Sequence, residues 1–137
     1  MEIRGENYFI QYDPSTSTVK LEGILRLYGA SGYFSIEDYN KHRDVPQTET
    51  NPNAPYLSIM ELFEAIAKEH AARITINLRG LELLNSSGIN VLSKFVIRLR
   101  ENKSSILLVK GTQQFFWQGK VLQNLQKLMP SIKVEFE

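Results

Sequence analysis

The sequence predicts a single α/β domain. Its core is a mixed sheet of about five strands, opened by an N-terminal hairpin and continued by helix–strand alternation, with three main helices against it. Three observations predict it. Residues 8–27 alternate apolar and polar side chains about a short turn. Three later stretches repeat apolar residues at helical spacing. Short aliphatic runs separate those stretches, and strand–helix–strand units connect right-handedly, which lays helices on the sheet.

In the first third, strands over 8–12 and 18–27 flank a turn at Asp13-Pro14-Ser15-Thr16-Ser17. Val19, Leu21, Leu25 and Leu27 share one face and Lys20, Glu22 and Arg26 the other, while Ile24 breaks the period of two. Residues 29–55 hold three prolines and hardly an aliphatic side chain, and read as a long mobile loop. A helix is predicted over 56–70, with Leu57, Ile59, Met60, Leu62, Phe63, Ile66 and Ala67 as its stripe. Ile74, Ile76 and Leu78 alternate with polar residues in a strand over 73–79, which Gly80 ends.

The second helix spans 86–102, with Ile89, Leu92, Phe95, Val96 and Leu99 on one face. The run Ile106-Leu107-Leu108-Val109 suits a strand covered on both faces, as parallel strands are. A third helix is expected over 113–129, with Pro130 as its stop, and Ile132, Val134 and Phe136 form a closing edge strand.

Composition narrows the function. With 137 residues, 42% of them apolar and 23% charged, the chain holds one core and is expected to fold as one domain over 1–137. Sixteen basic against 15 acidic residues give no field that would draw nucleic acid or an anionic membrane. The absence of cysteine removes disulfides, thiolate catalysis and the common structural zinc sites. The N-terminus has neither the basic start nor the apolar run of a signal peptide, so the expected location is cytoplasmic. Without a secretory route the sequons at Asn85 and Asn102 carry no weight.

The segment Leu84-Asn85-Ser86-Ser87-Gly88 sits between a strand and a helix. Asn85 is a good N-cap, its side-chain oxygen accepting a first-turn amide, which places Ser86 at the first helical position and exposed. Free amides and the positive end of the helix dipole favour an anion there, so the fold tolerates a phosphoryl group on Ser86. A partner pressed against the same helix start would have to desolvate or repel about −1.5 to −2 charges. Asn-Ser-Ser-Gly is also an ordinary capping sequence, and alone it does not choose between a cap and a switch.

Context adds to it. The element order, Leu21-Glu22-Gly23 in the second strand and the stretch INLRGLELLNSSGINVLSKFVIRLRE over 76–101 resemble the STAS family of anti-sigma-factor antagonists. The motif match covers roughly 74–101, about one strand–loop–helix unit. Family members carry Asp-Ser-Ser-Gly with aliphatics opening the next helix, and the first serine is the phosphorylated one. That position is Ser86 here, with Asn85 where the family usually has aspartate. Similar bacterial regulators of biofilm formation carry an asparagine before the phosphorylated residue.

The resemblance implies a STAS-like sandwich and a non-enzymatic, phosphorylation-switched regulator. Its partners would be a serine/threonine kinase of the anti-sigma type, bound while Ser86 is unmodified, and a PP2C-like phosphatase that restores binding. Asn85, Ser87 and Gly88 form the motif and cap, and Leu84, Ile89, Asn90 and Lys94 are then the partner-binding residues. ATP and magnesium belong to the kinase, so the chain has no cofactor of its own.

Other features weigh less. Phe115, Phe116 and Trp117 on one helix cannot all face inward, which leaves at least one exposed. Arg79, Lys94 and Arg98 either flank Ser86 or form a solvated face. His42 falls in the loop and His70 near a helix end, without metal-ligand spacing. Gly119-Lys120 lacks the upstream glycine of a phosphate loop. A serine hydrolase would want Gly-x-Ser-x-Gly and a histidine after the serine, and neither occurs. A domain of this fold sensing a nucleotide or lipid stays open as a second reading.

Overall fold

The computed structural model describes residues 1–27, 54–103 and 105–137. Its elements are β1 (Glu2–Arg4), β2 (Tyr8–Asp13), β3 (Thr18–Leu25), α1 (Ala54–Lys68), β4 (Arg73–Leu84), α2 (Ser86–Asn102), β5 (Ile106–Gly111), α3 (Gln118–Leu128) and β6 (Lys133–Phe136). The predicted loop over 29–55 and His42 lie outside the described residues, except 54 and 55, which open α1.

The strands form one six-stranded sheet in chain order, antiparallel from β1 to β3 and parallel from β3 to β6. It has one strand more than the five read from sequence. The extra one, β1, carries a single apolar residue, Ile3, and three residues are too few to show a period of two.

Each of the three crossovers steps to the next strand in the same direction. Right-handed connections therefore bring α1, α2 and α3 to one face, where α1 packs on α2 and α2 on α3. Ile10, Tyr12, Val19, Leu21, Ile74, Ile76, Leu78, Leu107 and Val109 meet the helices from the sheet, and Leu62, Phe63, Phe95, Val96, Leu99 and Leu122 meet them from above. The rings of Phe63 and Phe95 lie 4.8 Å apart between α1 and α2. No described helix is left for the other face. The aliphatic run of β5 is thus covered on one side only, with Leu107 and Val109 buried and Ile106 47% exposed.

The strand read as 73–79 does not stop at Gly80 but runs on to Leu84. Against β3 it slips register twice, between Lys20 and Glu22 and between Gly23 and Ile24, and each bulge lets the longer strand stay paired. Gly80 serves close approach instead of a turn, since a Cβ there would lie 2.9 Å from the Glu22 Cγ. β3 ends at Leu25, and Ile24 is half-buried beside the second slip. Gly23 holds φ +90° beside the Asn7 carbonyl, which accepts from the Ile24 amide at 2.8 Å.

Pairing with β5 stops at Asn77 while β4 runs on, and buried backbone groups without a ladder partner need substitutes. Gln118, 0% exposed, provides them. Its Nε2 donates to the Leu78 and Leu81 carbonyls at 2.7 and 3.0 Å, and its Oε1 accepts from the Thr112 amide at 2.9 Å. This is why α3 starts at Gln118 and not at 113. The Thr112 amide goes to Gln118 and the Gln113 amide to the Glu137 carbonyl, so the chain there is held in a turn.

Two outcomes are expected. Gln118→Met, of similar volume, leaves three backbone groups unpaired and costs about 2–4 kcal/mol in urea denaturation. Tyr12 donates its hydroxyl to Glu69 Oε2 at 2.5 Å, and burial, then that bond, pushes its pKa from 10.0 up to about 12. The unfolded chain releases this proton first, so stability falls between pH 10.0 and about 12. Urea titrations across that window show the loss in the wild type and a flatter limb in Tyr12→Phe.

Candidate functional site

β3 and β4 end together, with Leu25 of β3 paired to Leu84 of β4 and α2 starting two residues on at Ser86. In open α/β sheets this carboxyl end is where sites form. Asn85 is extended, with φ −85° and ψ 179°, its amide donating to the Leu25 carbonyl at 3.3 Å and its own carbonyl accepting from Ile89 at 2.9 Å. The side-chain oxygen accepts from the Gly88 amide at 3.1 Å and caps α2.

Ser86 is exposed at the first helical position and Ser87 is half-buried. Neither the Ser86 hydroxyl nor the amides of Ser86 and Ser87 have a hydrogen-bond partner among the described residues. The first turn of α2 carries no acidic side chain that would compete for those amides. Two free N–H groups and the positive helix end therefore surround an accessible hydroxyl.

Gly88 sits at the tightest point. A Cβ there would lie 2.2 Å from Leu84 Cδ1 and 2.9 Å from its Cγ. Leu84 itself is 5% exposed, so its side chain belongs to the core beneath the helix start and is not available to a partner. That corrects its place among the partner-binding residues. Ile89, Asn90 and Lys94 are half-buried on α2.

The basic residues that sequence could set around Ser86 are engaged elsewhere. Arg79 reaches the β5–β6 end, donating to the Gly111 carbonyl at 3.2 Å and pairing with Glu135 and Glu137 at 3.8 and 3.5 Å. Arg98 pairs with Glu64 of α1 at 3.2 Å. Lys94 donates to the Tyr56 hydroxyl at 3.3 Å. The aromatic cluster also moves: Phe115, Phe116 and Trp117 precede α3 instead of lying on it. Phe116 is fully exposed, while the Trp117 indole donates to the Glu82 carbonyl at 2.8 Å, next to the end of β4.

A depression of about 430 Å³ lies at the opposite end of β3, lined by Gln11, Tyr12, Asp13, Pro14, Thr16, Thr18 and Lys20. Most of its polar groups are paired among neighbours. Asp13 accepts from the Ser15 hydroxyl and amide, which hold its carboxyl below the usual range; Thr16 bonds Thr18, and Lys20 pairs with Glu22. Among the described residues no group of three or more histidines, aspartates or glutamates could hold a metal, and no helix is long and apolar enough to cross a membrane.

No family model, curated protein or solved structure matches the chain.

Gly88→Ala is expected to keep the fold but to push Leu84 out of its seat, costing about 1–3 kcal/mol in thermal or urea denaturation.

Proposed function

We propose that this chain is a phosphorylation-switched protein-binding module of the STAS type, similar to the anti-sigma-factor antagonists. Ser86 is its switch residue and the start of α2 its docking surface. The observation that supports this most is an exposed serine hydroxyl beside two amides without partners, on a helix start that the protein's own side chains already cap.

Unmodified, the helix start with Ile89, Asn90 and Lys94 meets a serine/threonine kinase of the anti-sigma type. The kinase transfers the γ-phosphoryl of ATP to Ser86 Oγ, releasing ADP and a proton, and supplies the nucleotide and magnesium itself. The chain catalyses nothing in this scheme.

The phosphoserine brings about −1.5 to −2 charges to a contact that excluded water. A helix N-terminus stabilises that charge by about 0.3–1 kcal/mol, so the domain keeps its fold. The docked partner gains no such compensation and must leave. Hydrolysis of the ester by a PP2C-like phosphatase returns the hydroxyl and releases phosphate. All three proteins would meet in the cytoplasm.

Intact-mass and peptide analysis of the protein purified from its own host is expected to find one phosphoryl group, on the peptide holding Ser86, and none in Ser86→Ala. Partner binding is expected to survive Ser86→Ala and to weaken roughly tenfold or more in Ser86→Asp. Equal affinity of the two variants, together with an unmodified Ser86, rules the switch out.

A further inference from the structure

Asn85 makes three side-chain hydrogen bonds, all to backbone. Its Oδ1 accepts from the amides of Gly88 and Leu27, each at 3.1 Å, and its Nδ2 donates to the Leu27 carbonyl at 2.8 Å. Capping alone needs only the oxygen, which serine or aspartate would also provide. The Leu27 carbonyl needs a donor, and among the good capping side chains only asparagine carries acceptor and N–H donor on one planar group. By pairing with both the amide and the carbonyl of Leu27, the carboxamide imitates one more residue of parallel pairing past Leu25 and Leu84. It thereby joins the chain leaving β3 to the start of α2.

We infer that Asn85 is the positioning residue of the Ser86 site and that it acts only as an amide: it ties the helix start to Leu27 and keeps the Gly88 amide occupied, so that a phosphoryl group on Ser86 is left with the Ser86 and Ser87 amides at the rim of the helix start. The tie to Leu27 stands by itself; the placing of the phosphoryl group rests on the proposed modification of Ser86. Were the Gly88 amide free, a phosphate two residues away would draw on it as a third donor beside the Ser86 and Ser87 amides. Held by Asn85, that amide is closed, and the charge stays where a docking protein meets it.

Asn85→Asp is nearly isosteric and keeps the cap, but sets an acceptor against the Leu27 carbonyl. Asn85→Ala removes cap and tie together, and Asn85→Ser keeps a cap without a donor. Amide hydrogen exchange separates the roles. In Asn85→Asp the Gly88 amide keeps its protection, while repulsion between the carboxylate and the Leu27 carbonyl pushes the Leu27 peptide out of reach of Oδ1, so that the Leu27 amide exchanges roughly tenfold faster than in the wild type. In Asn85→Ala both amides lose protection. Wild-type protection of Leu27 in Asn85→Asp overturns the amide requirement.

For the second half, phosphoserine is installed at position 86 in the wild type, Asn85→Ser and Asn85→Ala, and the phosphate is titrated by phosphorus NMR. The Ala protein is expected to show a second pKa lower by roughly half a unit or more, because the freed Gly88 amide binds the dianion, and Ser is expected to restore the wild-type value. Among the described residues, the charged groups on the elements that meet at the site are Arg26 beyond β3 and Glu82 on β4, both exposed, and Lys94 on α2, held by Tyr56 of α1; they are identical in all three proteins. Equal titration in wild type and Ala overturns the directing role. Neither experiment depends on whether the host modifies Ser86, which the mass measurement decides separately.

Discussion

The structure depends on keeping β4 paired although it is too long for its neighbour. Ten residues of β4, Thr75 to Leu84, run beside the eight of β3, and two bulges absorb the difference. Beyond Asn77 β4 has no β5 partner, and past Leu25 and Leu84 the ladder with β3 ends, so buried backbone groups there have no partner in the sheet. Two side-chain amides take over. Gln118 bonds the Leu78 and Leu81 carbonyls and the Thr112 amide, and Asn85 bonds both groups of Leu27 and the Gly88 amide. An amide is the right chemistry because it carries donor and acceptor together, as the missing peptide group would.

This arrangement also shapes the site. Because Asn85 and Gly88 complete the cap within the fold, Ser86 is left with no structural task among the described residues. A residue that stabilises nothing can be modified without unfolding what surrounds it. Leu84 and Gly88 set the depth: the leucine occupies the space a larger residue at 88 would need, which seats the first turn of α2 close on the end of β4. The serine therefore presents from a rigid strand end and not from a long loop.

The one-sided packing of the sheet follows from topology. Three right-handed crossovers in one direction place every described helix on the same face, and the strands answer with alternating side chains. Lys20, Thr75, Asn77, Arg79, Lys110 and Glu135 lie on the face without helices, where Arg79 and its carboxylate partners cross from β4 to the β6 edge. β5 lies between β4 and the edge strand β6, and its aliphatic run is buried on the helix face alone.

The sequence by itself determined the elements whose signals are local. Helix periodicity and the Asn85 cap placed α2 at Ser86–Asn102, and alternation placed the hairpin and the start of β4. The motif around Ser86 was legible for the same reason, since a cap and the residues it serves are sequence neighbours. Only the tertiary structure decided the length of β4 beyond Gly80, the late start of α3, the burial of Leu84 and the tie from Asn85 to Leu27. Each of these is settled by backbone groups brought together from distant parts of the chain, as Gln118 is with Leu78 and Asn85 with Leu27. No periodicity records such a meeting, because its energy lies in satisfying a buried donor or acceptor that exists only once the sheet has formed.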